Sequence, residues 1–125
     1  FPETLDYNIA LKDAGAESFI DVWAIHFYGS QLENVVQENG ARDFLNLLSH
    51  PIWITESGEM GVDNQLQYVE KIWPYLEEKI QGIDRIYYYQ FDSDQPSETT
   101  YGLKTLESGV VLSNLYRYLR DRESL

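Results

Sequence analysis

The segment PIWITESG, residues 51–58, decides the fold. Its apolar run at residues 52–54 is rich in β-branched and aromatic side chains, and proline suits the first position of a strand. The Ser-Gly pair at residues 57–58 then breaks the strand. The segment therefore predicts a strand that carries a carboxylate, Glu56, at its carboxyl end.

Two further strands and four helical regions are predicted around this segment. Residues 21–28 (DVWAIHFY) favour a strand, and residues 83–92 contain a third one. The predicted helices are residues 3–14, a helical region after Ser30 with its second half at residues 41–48, a helix from an N-cap at Asn64, and residues 109–120. The order α, β, α, β, α, β, α favours parallel strands joined by right-handed crossovers.

A single domain of class α/β is expected over residues 1–125. Three parallel strands are too few to close a barrel, and they would leave two unpaired strand edges. We therefore expect either that the rest of a barrel lies outside this chain or that another copy supplies it. Self-association through the unpaired edges is a hypothesis that follows. A small open three-layer sheet is the alternative architecture.

Polar side chains stand at the predicted carboxyl end of each strand. His26 and Tyr28 end the first strand, Glu56 ends the second, and Asp92 ends the third. Ligands bind at this end of the sheet in parallel α/β proteins. Side chains alternate along a strand, so His26 and Tyr28 are predicted to share one face, and Glu56 to share a face with Ile54. If those faces point into the interior of a barrel, the side chains of Glu56, His26 and Tyr28 converge at one end of it.

Each of these residues also has a structural interpretation. A carboxylate such as Glu56 after an apolar strand costs free energy unless it is solvated or hydrogen-bonded, and it can equally cap a loop or pair with a lysine. His26 can be a satisfied core histidine, and Tyr28 can simply pack. Glu59 is interpreted as a solvated loop acid, because carboxylates so close in one loop rarely flank a bond from opposite faces.

Composition and charge narrow the class of protein. The 43% of hydrophobic and 24% of charged residues are typical of a globular domain. The formal net charge of -12 argues against nucleic acid as a partner, since phosphate binding needs a basic surface. No apolar stretch is long enough for a membrane span, and the N-terminus does not read as a signal peptide. The absence of cysteine excludes disulfides and fits both a cytoplasmic and a secreted protein.

Three motifs follow one another at the strand ends. Residues 21–28 fit Asp-x-x-x-x-His-x-Tyr, residues 51–58 fit Pro-Ile-x-Ile-Thr-Glu-x-Gly, and the Tyr-Tyr-Gln-Phe-Asp run at residues 88–92 precedes Tyr-Gly-Leu at residues 101–103. In this order, over roughly residues 15–119, the chain resembles the clan of retaining (β/α)8, or TIM-barrel, glycoside hydrolases that includes cellulases, mannanases and xylosidases. The second motif is the most specific of the three.

The resemblance implies that the chain forms strands 6–8 of a TIM barrel whose N-terminal part is missing. It implies an enzyme that hydrolyses β-linked oligo- or polysaccharides with retention, without a metal or cofactor. Glu56 would be the nucleophile, Tyr28 would orient it through a hydrogen bond, and His26 would contact a sugar hydroxyl. Tyr88 would occupy the position where the clan usually has a tryptophan platform under the sugar.

The resemblance also implies a second carboxylate that the chain does not supply. In the clan, the acid/base is a glutamate at the end of the fourth strand, usually after an asparagine, and this sequence has no Asn-Glu pair. The acid/base is therefore expected in the missing N-terminal part, and the chain alone is expected to be inactive.

Two other functions stay open. A non-catalytic carbohydrate-binding or scaffold protein derived from such a barrel would keep the motifs without turnover. A metal-dependent barrel hydrolase would use His26, Glu56 and Asp92 as ligands. The small number of histidines, two in the chain, and the lack of a His-x-His pair argue against this function.

Overall fold

A computed structural model describes residues 2–30 and 33–122. The helices are α1 (Pro2–Asp13), α2 (Glu33–Val36), α3 (Ala41–Leu45), α4 (Gln65–Lys79) and α5 (Asn114–Arg122), and a 3₁₀ helix covers Ala16–Phe19. The strands are β1 (Trp23–Tyr28), β2 (Ile52–Gly58), β3 (Ile83–Tyr88), β4 (Asp92–Ser93), β5 (Lys104–Thr105) and β6 (Val111–Leu112). The predicted helical region after Ser30 includes residues 31–32, which lie outside the described residues.

The central sheet consists of β1, β2 and β3 in that order. Both neighbouring pairs are parallel. The predicted α/β class and the parallel pairing of the three strands are therefore confirmed. Parallel pairing places the three carboxyl ends at one edge of the sheet, where the polar residues of the motifs lie.

Helices cover one face of this sheet and form the core with it. Ile52 and Ile54 of β2 have 1% and 0% of their surface exposed, and Leu76 and Ile80 at the end of α4 pack in the same cluster. Phe44 on α3 belongs to this cluster as well. The apolar stripe of α4 thus anchors the strand that carries Glu56.

A β-bulge in β2 overturns one prediction about side-chain direction. Ile25 of β1 pairs with Ile54, but the next residue, His26, pairs with Glu56, so β2 carries one extra residue, Thr55. An extra residue reverses the alternation of side chains beyond it. The prediction that Glu56 shares a face with Ile54 was wrong: Ile54 faces the helices, whereas Glu56 lies on the opposite face beside His26.

The last helix begins later than predicted. Residues 109–120 were expected to be helical, but Val111–Leu112 forms β6, which pairs antiparallel with β5. The hydroxyl of Ser113 accepts a hydrogen bond from the backbone N–H of Tyr116 at 3.0 Å, so Ser113 caps α5. Pairing with β5 therefore makes residues 111–112 a strand instead of the first turn of the helix.

The helix predicted at residues 41–48 is also shorter in the structure. It ends at Leu45, and Leu47, inside the predicted bounds, is 70% exposed. The side chain of Asn46 accepts a hydrogen bond from the backbone N–H of Gln81 at 2.7 Å and donates one to the carbonyl of Lys79 at 3.2 Å. Asn46 thereby ties the end of α3 to the end of α4.

Within residues 2–30 and 33–122, no helix has both the length and the apolar character that crossing a membrane requires.

Glu17 links the 3₁₀ helix to the loop before β2. Its carboxylate accepts hydrogen bonds from the backbone N–H and the hydroxyl of Ser49 at 2.9 and 3.0 Å, and it lies 3.9 Å from Nζ of Lys12 and 3.7 Å from Nδ1 of His50. The backbone N–H of Ser49, chiefly, holds the pKa of Glu17 below its ordinary value of 4.5.

This lowered pKa makes a pH-dependent contribution to stability. A carboxyl whose pKa falls on folding stabilises the folded state above its unfolded pKa, and this stabilisation is lost as the pH falls through the folded pKa. The free energy of unfolding of the wild-type protein should therefore exceed that of Glu17→Gln above about pH 4.5, and the difference should shrink on acidification. Urea denaturation over a pH series measures it, and a pH-independent difference would contradict the assignment.

Candidate active site

Glu56 and Tyr28 meet at the carboxyl end of the sheet. The hydroxyl of Tyr28 donates a hydrogen bond of 2.5 Å to Oε2 of Glu56. Burial and this hydrogen bond raise the pKa of Tyr28 well above its ordinary 10.0. Tyr28 therefore stays protonated at neutral pH and holds the Glu56 carboxylate through a charge-assisted hydrogen bond.

His26 lies close to the same carboxylate oxygen. Its Nδ1 lies 3.5 Å from Oε2 of Glu56. The side chains of His26 and Glu56 are 57% and 36% exposed, so both are open to a molecule that approaches the sheet edge. The structure thus brings together Glu56, Tyr28 and His26, the three polar residues predicted to converge.

Two more tyrosines surround the ring of Tyr28. The ring of Tyr101 lies edge-on at a centroid distance of 5.1 Å, and the ring of Tyr89 does so at 6.1 Å. Tyr89 directly follows β3 and is 38% exposed. Tyr101 belongs to the segment between β4 and β5. The candidate site is therefore a carboxylate beside a cluster of aromatic rings, an arrangement that suits a sugar with its polar rim and apolar faces.

Residues 8–117 of the chain match the family described as glycosyl hydrolase catalytic core. The chain belongs to this family. Its members are hydrolases that act on glycosidic bonds, in agreement with the enzyme class that the sequence motifs implied. No curated protein and no solved structure matches the chain at a significant level.

Tyr88, the predicted sugar platform, lies on the other face of the sheet from Glu56. It pairs in register with Ser57, whose hydroxyl accepts a hydrogen bond from Nε1 of Trp73 on α4. The hydroxyl of Tyr88 donates to the backbone carbonyl of Glu59 at 3.2 Å, and burial raises the pKa of Tyr88. Tyr88 therefore faces the helices, whereas Tyr89, the next residue of this glycosyl hydrolase, places its ring beside that of Tyr28.

The described residues contain no group of three or more histidine, aspartate, glutamate or cysteine side chains placed to hold a metal ion. Asp92, which the metal-site alternative would need beside His26 and Glu56, lies instead 3.9 Å from Nζ of Lys104. The arrangement of His26, Glu56 and Asp92 therefore does not form a metal-ligand set.

The sequence did not predict a role in this region for three residues: Tyr89, Tyr101 and Gln65. Tyr101 was part of a quoted motif, but nothing in the motif indicates that its ring contacts Tyr28. Gln65, the first residue of α4, has 0% of its surface exposed. A glutamine in the first turn of an amphipathic helix gives no sequence signal of burial, because most glutamines are exposed.

Proposed function

We propose that this chain is the C-terminal portion of a retaining (β/α)8-barrel glycoside hydrolase, with β1, β2 and β3 as strands 6, 7 and 8. Three observations support the proposal. The strands are parallel, β1 and β3 are edge strands within the described part of the chain, and the face that carries His26 and Glu56 is not the face that the core helices cover. A barrel encloses such a face and pairs both edges.

The hydrogen bond between Tyr28 and Glu56 carries the assignment of Glu56 as nucleophile. A carboxylate oxygen of Glu56 attacks the anomeric carbon and forms a C–O bond to it. The bond from this carbon to the glycosidic oxygen breaks, and the acid/base protonates that glycosidic oxygen as the leaving group departs. Water then attacks the same carbon, the acid/base takes its proton, and Glu56 is released as a carboxylate. Tyr28 orients the carboxylate of Glu56 for the first attack through this hydrogen bond.

His26 and Tyr89 supply contacts to the sugar in this proposal. His26 is exposed beside Glu56 and presents a ring nitrogen to a sugar hydroxyl. Tyr89 presents a partly exposed ring next to Tyr28. Because Tyr88 faces the helices, we assign the stacking contact to Tyr89 rather than Tyr88. A β-linked oligo- or polysaccharide is the substrate proposed.

The proton donor comes from another part of the barrel in this proposal. Retention requires a second carboxyl group about 5–5.5 Å from the nucleophile. The described side chains in contact with the Glu56 carboxylate are those of Tyr28 and His26, and neither is a carboxylate. The acid/base is therefore assigned to a strand that precedes β1 in the barrel, and the 125-residue chain alone should be inactive. Self-association through the edges of β1 and β3 stays a prediction.

The stereochemistry of the first product tests the mechanism. The full-length protein, given a β-linked oligosaccharide that it hydrolyses, should release the β-anomer first, because two successive displacements restore the configuration. Proton NMR in the first minutes, before mutarotation, distinguishes the two anomers. Initial release of the α-anomer would overturn retention and with it the role of Glu56 as a covalent nucleophile.

A further inference from the structure

We propose that Gln65 and Tyr101 are positioning residues that fix the ring of Tyr28 and, through its hydroxyl, the carboxylate of Glu56. This inference rests on the proposed function and adds to it a mechanical link between α4 and the nucleophile. The link runs from the buried side chain of Gln65 to the backbone around Tyr101, from the Tyr101 ring to Tyr28, and from Tyr28 to Glu56.

The first contact of the link is made by the amide of Gln65. Its Nε2 donates hydrogen bonds to the carbonyl of Gly102 at 3.0 Å and to that of Thr100 at 3.4 Å. Its Oε1 is buried and has no hydrogen-bond partner among the described residues. An unsatisfied buried oxygen costs free energy, so packing alone would favour an apolar side chain here. The amide of Gln65 holds the two carbonyls that flank Tyr101.

The segment around Tyr101 has little room to move. Thr100 is fully buried, and its hydroxyl accepts a hydrogen bond from the backbone N–H of Gly102 at 2.8 Å. A Cβ on Gly102 would lie 2.7 Å from the carbonyl of Lys104, so no larger residue fits without a shift of the backbone. The backbone carbonyl of Tyr101 also accepts from the N–H of Gln90 at 3.3 Å. Backbone contacts on both sides therefore fix the position from which the Tyr101 ring projects.

The ring of Tyr101 lies against both Tyr28 and the end of β2. Its centroid is 5.1 Å from that of Tyr28. A Cβ on Gly58 would lie 3.2 Å from Cδ1 of Tyr101, so the ring packs closely over the glycine that ends β2. Tyr101 is thus in contact with the strand of Glu56 on one side and with the partner of Glu56 on the other. A displacement of this ring would move the Tyr28 hydroxyl relative to the carboxylate.

The kinetic test uses the full-length enzyme and an activated aryl glycoside. Gln65→Met keeps the side-chain volume but removes the amide, and Tyr101→Leu removes the ring. Each variant should lower kcat roughly 10²-fold with KM nearly unchanged, because a small misplacement of a catalytic group costs that much. Tyr101→Phe keeps the ring and should retain the wild-type kcat. Leu76→Val, a buried change elsewhere on α4, should lower the melting temperature without changing kcat.

A double-mutant cycle separates positioning through Tyr28 from general loosening of the fold. Tyr101→Leu acts through the hydroxyl of Tyr28, so it should change kcat little when Tyr28→Phe is already present. The hydrogen-bonded hydroxyl proton of Tyr28 gives a second readout that needs no activity. Its downfield NMR signal, identified by its loss in Tyr28→Phe, should also disappear in Gln65→Met and in Tyr101→Leu, and should persist in Tyr101→Phe.

The outcomes distinguish this inference from the proposed function. Two outcomes would overturn the positioning roles but not the proposed function. One is that Tyr101→Leu lowers kcat as much with Tyr28→Phe present as without it. The other is that Gln65→Met and Tyr101→Leu fold, keep the wild-type kcat and keep the Tyr28 signal. Full activity of Glu56→Gln would overturn the proposed function, whereas the NMR signal would still decide whether Gln65 and Tyr101 hold Tyr28 in place.

Discussion

Replacement of Glu56 by glutamine should lower kcat/KM of the full-length protein on the order of 10⁴-fold or more, because loss of the nucleophile in other hydrolases costs up to about 10⁶-fold. The amide is neutral and cannot form the glycosyl-enzyme, but it keeps the shape of the side chain and an oxygen that can accept from Tyr28. The fold should therefore persist. Initial rates on activated aryl glycosides, with thermal melting of both proteins, measure the two effects.

Glu59→Gln is the matched control, because it makes the same chemical change three positions along the chain. The carboxylate of Glu59 accepts a hydrogen bond from the backbone N–H of Met60 at 3.0 Å and makes no contact with Tyr28 that the structure records. Its substitution should leave the rate unchanged. The reverse pattern, with Glu59→Gln inactive and Glu56→Gln active, would refute the assignment. Sugar binding without turnover in both variants and in the wild-type protein would favour the non-catalytic binding protein.

Leu76→Ala should destabilise the protein by about 2–5 kcal/mol, the range for removing a buried leucine side chain beyond Cβ. Leu76 has 0% of its surface exposed and packs with Ile52, Ile54 and Ile80 between α4 and the sheet. The substitution leaves a cavity under β2, the strand that presents Glu56. Urea denaturation followed by circular dichroism measures the change in the free energy of unfolding.

Leu47→Ala is the matched control for the core substitution. Leu47 is 70% exposed after α3, so the same truncation there should change the free energy of unfolding by no more than about 0.5 kcal/mol. Equal losses for Leu47→Ala and Leu76→Ala would contradict the placement of the core between α4 and the sheet.

Local sequence patterns determined most of the secondary structure. The β-branched and aromatic runs at residues 21–28 and 51–56 predicted β1 and β2 to within two residues at each end. Asn64 directly precedes α4 as expected, but its side chain donates to the carbonyl of Met60 at 2.9 Å instead of capping the helix. The start of α5 was missed because residues 111–112 pair with β5, a contact between segments that no local pattern encodes.

The sequence by itself predicted that Glu56, Tyr28 and His26 meet: all three lie near the carboxyl ends of apolar strands, and parallel strands bring these ends together. Only the tertiary structure decided which face each side chain uses. The bulge at Thr55 turns Glu56 away from the core, and the register of β3 directs Tyr88 towards the helices and leaves Tyr89 beside Tyr28. Side chains alternate between the two faces of a strand, so one inserted residue exchanges the faces of all the residues after it. Whether a strand carries such a bulge depends on its pairing with the partner strand rather than on its own sequence.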